Sequence, residues 1–396
     1  MNPATVNVCL IGQKFMGRAH SNAYLKADKF FSLPLKPVMH TVCGRDANEL
    51  ATFANRWGWQ KTSVDWRSAV RDPEIELVDV STPNDVHLEM TLAALEAGKH
   101  VACEKPLAGT LDEARQMRDA AREARGKTFV WWSYRRTPAV TLMRDLVRSG
   151  KIGRIYHVRG YYLQDWAGPD VPLIWRFNKD IAGSGSHGDL GAHIIDMTRF
   201  VTGEEFTEID GAIMETFIKQ REIPRQGSSG GLAGGSSGAK GTMGDVNIDD
   251  ATLFLCRFSG GAVGNFEATR LATGYQNKNG IEVHGEKGAV SFDFERMNEL
   301  RFIDNTVDAK VRGWTRIMVT HAPDHPYAEA WWPDAHIIGY EHTFINQVAD
   351  MMKVLGGKQP AAPIGDFEDA YQTQRVLESV VISATERRPV KLDEVQ

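Results

Sequence analysis

The sequence predicts two domains: an α/β domain built on a doubly wound parallel sheet, then an α+β domain whose open, mainly antiparallel sheet carries helices on one face. A chain of 396 residues is longer than a single hydrophobic core usually accommodates. Strand-like segments alternate with helix signals up to about residue 133. Beyond that point, strand-like segments are joined by short glycine-containing turns, which are typical of antiparallel pairing. We therefore place the domains at residues 1–133 and 134–396.

The first domain contains five apolar segments that we interpret as strands: 6–11, 38–43, 75–80, 100–103 and 129–132. Helix signals lie between them, such as the capping box that Thr110 and Glu113 form at the start of one helix. In a doubly wound parallel sheet, ligands bind at the carboxyl ends of the strands. The residues expected at that edge are Gly12, Ser81, Thr82, Pro83, Asn84, Glu104 and Lys105.

A glycine turn directly follows the first strand and precedes a helix that we expect from about residue 16 to residue 25. Strand, glycine turn and helix in this order is the context of a Rossmann-type dinucleotide fingerprint, in which free N–H groups at the start of the helix bind the pyrophosphate. Lys14 stands where the fingerprint has its second glycine. We expect cofactor contacts from Gly12, Lys14, Phe15, Met16 and Gly17.

The end of the second strand bears on the choice of cofactor. NAD-binding proteins usually carry an acidic residue there for the ribose 2′-hydroxyl. This chain offers Gly44 and Arg45, with Asp46 one step further on. Arg45 can meet a 2′-phosphate or stack on adenine. We predict NAD, with NADP as the alternative, and place Gly44 and Arg45 in the cofactor site.

Composition and charge bear on the class of function. The chain is 42% hydrophobic and 24% charged, with a formal net charge of −5 and no basic tract, so we expect no nucleic-acid partner. No apolar run approaches the ~18 residues needed to span a bilayer, and we recognise no signal peptide. Four widely spaced cysteines predict reduced thiols. We expect a cytoplasmic enzyme without a membrane partner.

The second domain begins with a helix at Pro138, and strand-like segments follow at 152–163, 209–219, 251–258, 262–269, 281–284 and 289–294. The segments 259–261 and 285–288 are predicted hairpin turns. Further helices are expected at 336–354 and 366–383. The glycine- and serine-rich stretch 227–244 cannot bury much apolar surface, so we interpret it as a flexible loop, with a functional lid as the alternative.

Asp189, His193 and Asp196 are spaced at i, i+4 and i+7, so a helix would place them on one face. An imidazole between carboxylates is held in orientation and can exchange a proton with a hydroxyl group. The alternative is a surface histidine with incidental acidic neighbours.

Several segments, in the same order and spacing, resemble the glucose–fructose oxidoreductase, inositol dehydrogenase and MocA (Gfo/Idh/MocA) family of NAD(P)-dependent oxidoreductases. They are the glycine turn with residues 16–20, Thr82–Asn84 followed by His87, Glu104–Pro106, and Asp189–Asp196. Within the family, the segments 134–140, 162–166 and 175–177 resemble one group of sugar dehydrogenases. The resemblance covers essentially the whole chain.

The resemblance implies that Lys105 and His193 are the catalytic pair, and that Asp189 binds substrate or orients the histidine. It implies a cis peptide bond before Pro106 and a homodimer or homotetramer that pairs through the outer face of the second sheet. The cofactor contacts that we infer with it are Thr82–Asn84, His87, Glu104, Lys105, Trp175 and Arg176. Lys14 and His187 depart from the family pattern.

A carbohydrate or polyol is the predicted small-molecule partner. Trp166 can stack on a sugar ring, and Gln164, Asp165 and Arg176 can bind its hydroxyl groups. The remaining predicted substrate contacts are Tyr134, His187, Asp189, His193 and Tyr340. The predicted reaction is hydride transfer between nicotinamide and a CH–OH group, with His193 as the base and Lys105 stabilising the negative charge that develops on oxygen.

Three other functions would use the same residues. A glycosidase that recycles NAD through a 3-keto intermediate needs an additional base, for which His187 is the candidate. A metal site could involve His187, Asp189 and His193, but no fourth ligand stands nearby, so we predict no metal. A non-catalytic sensor would bind the dinucleotide without turnover.

Overall fold

The chain forms two compact units in a computed structural model that describes residues 4–224, 241–322 and 324–396. The first unit comprises Met1–Arg136, Glu329–Pro333 and Ile338–Tyr371. The second comprises Thr137–Ala328, Asp334–Ile337 and Gln372–Gln396. Most of the predicted loop 227–244 lies outside the described residues.

The first unit is built on a wholly parallel sheet. Its strands are β1 (Ala4–Ile11), β2 (Leu35–Cys43), β3 (Lys61–Ser63), β4 (Leu77–Val80), β5 (His100–Cys103) and β6 (Thr128–Val130). Its connecting helices are α1 (Phe15–Phe30), α2 (Ala47–Trp57), α3 (Trp66–Arg71), α4 (His87–Glu96) and α5 (Leu111–Glu123). The strand order β3-β2-β1-β4-β5-β6 is that of dinucleotide-binding sheets, which confirms the predicted fold class of this unit.

Side chains at the helix starts explain where these helices begin. Asp46 caps α2 and Asp65 caps α3, each by accepting two main-chain N–H groups. Thr110 and Glu113 form the predicted capping box of α5. The sequence did not reveal β3, because this edge strand has only three residues and carries no apolar pattern.

The second unit contains the larger sheet. Its strands are β7 (Ile155–Leu163), β8 (Phe206–Glu215), β11 (Ala251–Phe258), β12 (Val263–Thr269), β13 (Lys278–Gly285), β14 (Gly288–Asp293), β15 (Glu299–Asp304), β16 (Thr315–Met318) and β17 (Val390–Lys391). They lie in the order β16-β15-β14-β13-β7-β12-β11-β8-β17. Neighbours are antiparallel, with the pair β7–β12 parallel, so the prediction of an open, mainly antiparallel sheet is confirmed. The end of the predicted loop instead forms a strand, because β10 (Met243–Asp245) pairs with β9 (Gln220–Glu222).

Helices cover one face of this sheet. The remaining helices of the chain are α6 (Pro138–Arg148), α7 (Lys179–Ala182), α8 (Ala192–Thr202), α9 (Tyr340–Leu355) and α10 (Phe367–Glu386). Helix α8 packs on β7 and β13, and α6 packs on β14 and β15. Gly160 on β7 lets the ring of Phe266 approach, because a Cβ at Gly160 would overlap that ring. The ring of Phe266 stacks on that of Phe254, 4.9 Å away.

Helix α9 belongs to the first unit, whereas the predicted boundary at residue 133/134 placed it in the second domain. It packs along α1, and its buried Asp350 lies 3.1 Å from Nε of the buried Arg136. The apolar pattern of α9 identified a helix but did not say which sheet it covers. Within the described ranges, no helix has the length and apolar character needed to cross a membrane.

Candidate functional site

The turn between β1 and α1 is packed so closely against neighbouring main chain that it requires glycine at two positions. Gly12 has φ +117°, and a Cβ there would lie 2.6 Å from the carbonyl oxygen of Ser81. A Cβ at Gly17 would overlap the carbonyl oxygen of Gly12. Helix α1 begins at Phe15 without a side-chain cap on its first N–H groups. Such a helix start suits the pyrophosphate of a dinucleotide.

Lys14 takes part in an ion pair that the sequence did not predict. Its Nζ lies 2.7 Å from Oε2 of Glu49, which also accepts a hydrogen bond from Gln13 Nε2 at 3.1 Å. These donors lower the pKa of Glu49, first through the hydrogen bond from Lys14 and then through its charge. The predicted contact between Lys14 and the phosphates therefore competes with Glu49.

The carboxyl ends of β2 and β4 carry other predicted cofactor residues. Arg45 is exposed, and the carboxylate of Asp46 is engaged by the main-chain N–H groups of Asn48 and Glu49. The Ser81 hydroxyl donates to the carbonyl of Ile11, and Ser81 N–H donates to the same oxygen. Residues 81–84 are half-buried, as are Gly12, Met16 and Gly44.

His87 is fully buried behind this edge. Its ring nitrogens lie 3.0 Å from the Thr82 carbonyl oxygen and 3.2 Å from that of Leu107. Burial lowers the pKa of His87, so the ring is neutral near pH 7. His87 thus contacts both the loop that follows β4 and the loop that follows β5, and holds them together.

Glu104 and Lys105 follow β5, and the Lys105–Pro106 bond is cis, as the resemblance implied. The Glu104 carboxylate accepts a hydrogen bond from the main-chain N–H of Lys105 at 2.9 Å through Oε2. Its Oε1 lies 2.9 Å from Nε2 of His20. Nδ1 of His20 lies 3.0 Å from Oδ2 of Asp79. The predicted catalytic lysine thus stands directly after a buried cluster of charged groups.

In the second unit, the segment that carries Asp189 and His193 is helical, as predicted, but it begins with one π-helical turn. Residues His187–Gly191 form this turn, in which Ala192 N–H donates to the His187 carbonyl, and α8 continues from it. Such wide turns are frequent at functional sites. The side chains of Asp189 and His193 are partly exposed, whereas Asp196 is buried.

Asp249 anchors the start of the π-helical turn. Its carboxylate accepts hydrogen bonds from the N–H groups of Gly185 (2.6 Å) and His187 (2.8 Å) and from the hydroxyl of Ser186 (2.7 Å). Asp249 lies two residues before β11, so the segment that leads into this strand supplies the carboxylate that satisfies the helix start.

Asp189 faces two guanidinium groups. Buried Arg270, directly after β12, donates through Nη2 to Asp189 Oδ2 at 2.7 Å and to the Gly185 carbonyl at 3.1 Å. Nε of Arg176 lies 3.9 Å from the same Oδ2, and its guanidinium lies over the ring of Trp175. Charge-assisted hydrogen bonds of this kind fix the carboxylate in place.

A row of polar side chains leads away from His193. The ring of His193 lies 5.7 Å from that of Tyr162, whose hydroxyl donates to Asn277 Oδ1 at 2.8 Å. Gln164 Nε2 donates to the same oxygen at 2.8 Å, and Gln164 Oε1 accepts from Trp166 Nε1 at 2.7 Å. Both ends of the Gln164 amide are therefore already bonded within the protein, which limits its predicted role in binding substrate.

The other predicted substrate residues occupy varied environments. Asp165 is exposed and accepts a hydrogen bond from the main-chain N–H of Gly274. The half-buried Trp166 packs against Phe177 and lies 5.5 Å from the Arg270 guanidinium. Tyr134 is buried in the first unit, and Tyr340 begins α9 in that unit, with its ring 5.0 Å from that of Phe344. Lys105 belongs to the first unit and His193 to the second.

The environment of His187 does not favour the predicted contact with substrate. The residue is fully buried, and Nε2–H donates to the Leu377 carbonyl at 2.9 Å. Burial lowers the pKa of His187, so the ring is neutral. Burial and a hydrogen bond to the main chain are typical of a histidine with a structural role. In the part of the chain that the structure describes, no three histidine, cysteine, aspartate or glutamate side chains gather in a way that could hold a metal ion.

Sequence reasoning missed Arg270, Asp249 and Asp79. Arg270 and Asp249 contact the helical segment from about 60 to 80 residues away along the chain, and no local pattern reports such contacts. The one available signal is position, because both residues flank predicted strands. Asp79 stands inside an apolar strand, where a buried charge requires a partner.

Comparison with family models matches both units. A model described as "Oxidoreductase family, NAD-binding Rossmann fold" matches residues 6–131. A model of the GFO/IDH/MocA C-terminal domain matches residues 140–291.

Known proteins resemble the chain along nearly its whole length. A levoglucosan dehydrogenase from Pseudarthrobacter phenanthrenivorans is 40% identical over 393 residues, which are 98% of this chain and 99% of the relative. The solved structure of a levoglucosan dehydrogenase with NADH and levoglucosan has a TM-score of 0.89, at 40% identity and coverage of 98% and 99%. That of an oxidoreductase domain protein from Kribbella flavida has a TM-score of 0.91, at 46% identity and the same coverage.

We predict that Gly12→Ala weakens NADH binding about tenfold or more. The substitution forces a side chain into a left-handed conformation, at a cost of about 1–2 kcal/mol, and also against the Ser81 carbonyl. Titration of NADH fluorescence measures the affinity. Gly98→Ala is the matched control, because Gly98 also has a positive φ (73°) but a Cβ there meets nothing within 4 Å. Equal NADH affinity in both variants would contradict the assignment of the turn.

Proposed function

Because the chain belongs to the Gfo/Idh/MocA family of oxidoreductases, we propose that it oxidises a hydroxyl group of a cyclic sugar, such as levoglucosan or a related pyranoside, with NAD as cofactor. The observation that carries the proposal is the similarity along 98% of the chain to a levoglucosan dehydrogenase that has been solved with NADH and levoglucosan. Other relatives named for related activities include a myo-inositol 2-dehydrogenase from Thermotoga maritima, 26% identical over 361 residues.

The residues of the β1–α1 turn would hold the cofactor. Gly12 and Gly17 permit the tight turn between β1 and α1, and the uncapped start of α1 supplies N–H donors for the pyrophosphate. When bound, the nicotinamide ring accepts a hydride from carbon or returns it. The protein supplies binding, orientation and proton transfer.

His193 is the residue that we assign to proton transfer. Its side chain is partly exposed, and the helical segment 187–202, anchored by Asp249, fixes its main chain. Packing against the ring of Tyr162 limits the rotation of the imidazole. A histidine so held can take the hydroxyl proton as the carbonyl forms, and can return it in the reverse reaction.

Lys105 is the residue that we assign to the substrate oxygen. An ammonium group has three N–H donors and a full positive charge, so it stabilises an oxygen that becomes negative as its proton leaves. The main chain of Lys105 is held by the Glu104 carboxylate, which reduces the reorganisation needed during the reaction.

Asp189 is the residue that we assign to a sugar hydroxyl. Arg270 holds one carboxylate oxygen, and about a quarter of the side chain is exposed. A fixed acceptor of this kind discriminates strongly in favour of a hydroxyl at the matching position, because an analogue that lacks it leaves the acceptor unpaired. Arg176 and Trp166 are the further side chains that we assign to the substrate.

A glycosidase mechanism with NAD recycling uses the same first step and needs one more base. The burial of His187 and its hydrogen bond to Leu377 do not support His187 in that role. Product analysis distinguishes the two functions, since a glycosidase releases the aglycone without net formation of NADH.

Self-association is the second part of the proposal. Strands β8, β11 and β12 expose Ile213, Leu253, Leu255 and Val263 on the face of the large sheet that α6 and α8 do not cover. Contiguous exposed apolar surface of this kind is typical of protein–protein interfaces. We propose a homodimer or homotetramer that buries this face.

A cytoplasmic location agrees with four free, buried cysteines.

We predict that Lys105→Ala and His193→Ala each lower turnover about a hundredfold or more while NADH affinity changes little, because proton transfer and oxyanion stabilisation act on the reacting group. The measurement is the absorbance change at 340 nm with NAD and a panel of cyclic sugars, beside NADH titration. Lys151→Ala and His321→Ala are the controls and are expected to retain activity. Full turnover in either active-site variant would refute its assignment.

We also predict that Leu255→Asp shifts the protein towards monomer, because a charge at an exposed position of β11 must be desolvated in the assembly. Multi-angle light scattering measures the mass in solution. Val311→Asp, at an exposed apolar residue outside the sheet, is the matched control. A wild-type mass of one chain, or the same multimeric mass for Leu255→Asp, would contradict the proposed interface.

A further inference from the structure

His20 lies wholly buried between two carboxylates in the first unit. It is in α1, five residues after the helix begins, and faces Asp79 of β4 through Nδ1 (3.0 Å) and Glu104 through Nε2 (2.9 Å). Its ring stacks on the indole of Trp131, with centroids 3.8 Å apart and an angle of 21°. Three segments of the sheet therefore meet at one imidazole.

The hydrogen-bonding pattern determines the charge of this ring. A neutral imidazole has one N–H donor and one lone pair. With a carboxylate facing each nitrogen, a neutral ring would direct its lone pair at a negatively charged oxygen. Both contacts are favourable only when both nitrogens carry a proton, so His20 is an imidazolium.

The surroundings reinforce this charge state. Burial by itself lowers the pKa of His20, but Asp79 and then Glu104 outweigh burial and raise the pKa to about 9. Trp131 Nε1 donates a hydrogen bond to Asp79 Oδ1 at 2.9 Å, which fixes the position of this carboxylate beside His20. The nearby Tyr24 and Cys103 stay neutral, because burial raises the pKa of each. Cys9 stays neutral through its hydrogen bond with Cys43 and its burial. Phe344 of α9 covers the ring and adds no charge.

One carboxylate, that of Glu104, connects His20 to the proposed catalytic lysine. Oε1 of Glu104 takes the His20 contact, and Oε2 accepts the main-chain N–H of Lys105. A carboxylate held at both oxygens has little freedom to rotate, so the main chain of Lys105 is held as well.

We propose that His20, as an imidazolium, is a positioning residue that holds Glu104, and through it the main chain of Lys105, in the arrangement that the dehydrogenase reaction requires. The inference rests on the proposed function, because the role of Lys105 is assigned there. His20 itself touches neither substrate nor cofactor in this proposal.

Loss of the His20 proton lowers the stability of the folded protein as the pH rises. Because the folded pKa is raised above 6.5, the stability that His20 contributes is fully present below about pH 6.5 and is lost as the pH rises through about 9. Over the same pH range, the hydrogen bond between His20 and Glu104 weakens because the imidazole loses its positive charge. Turnover should therefore decline along an alkaline limb, while KM for the sugar changes less.

The test compares wild type with His20→Gln, which keeps an amide donor but cannot titrate, and with Asp79→Asn, which removes the main charge that raises the pKa of His20. The first readout is the thermal unfolding midpoint of the cofactor-free protein from pH 6 to 10. The second is the pH profile of kcat with NAD and sugar. His40→Gln is the matched control, because His40 is buried on β2 of the same sheet but does not lie between two carboxylates. Its Nδ1 faces the Thr41 hydroxyl, and its Nε2 lies 3.6 Å from the exposed carboxylate of Glu74.

In His20→Gln, we expect kcat at pH 7 to fall roughly ten- to a hundredfold and the alkaline limb to disappear from both readouts. In Asp79→Asn, the limb should move to lower pH, and in His40→Gln it should stay in place. A wild-type value of kcat in His20→Gln would overturn this inference and leave the proposed function standing. The same conclusion would follow if the alkaline limb persisted in His20→Gln and did not move in Asp79→Asn. Absence of turnover by the wild type with every sugar would instead overturn the proposed function, and the unfolding midpoints would still report the charge of His20. If His20→Gln fails to fold, Asp79→Asn decides the inference through the direction of its shift.

Discussion

The buried contact between the Glu104 carboxylate and His20 connects the parts of the first unit on which the proposed function depends. It joins α1, which follows the glycine turn proposed to hold the cofactor, to the segment after β5 that contains Lys105. Asp79 completes the connection through β4. Buried charges are tolerated only when each has a partner and good geometry. Here one imidazolium contacts both carboxylates, and it thereby links α1 to the segment that contains Lys105.

A comparable constraint acts in the second unit. Asp249 satisfies the start of the π-helical turn, and Arg270 holds Asp189 on that turn. Both residues flank strands of the large sheet, so rigid strands position a segment that would otherwise be a helix end with unsatisfied N–H groups. In each unit, one carboxylate beside a strand binds main-chain N–H groups of the segment that contains a proposed catalytic residue.

The sequence predicted the fold well where local signals are strong. The glycine turn, the capping box at Thr110 and the hairpin between β11 and β12 all arise from nearby residues, and the structure confirms them. It failed where the deciding contact is remote. The pairing of Arg270 with Asp189 joins residues 81 positions apart, and α9 joins the first unit through its packing on α1. His187 was predicted to contact substrate because it lies two residues from Asp189, and the sequence did not show its burial or its hydrogen bond to Leu377.

The central claim is that a hydride passes between a sugar carbinol carbon and NAD. The most direct test supplies the enzyme and NAD with a cyclic sugar that carries deuterium on its carbinol carbons, and analyses the cofactor by mass spectrometry. We expect reduced cofactor to accumulate with one deuterium per molecule, and more slowly than with the unlabelled sugar. Reduced cofactor without deuterium would contradict it, as would bound NAD that no sugar reduces.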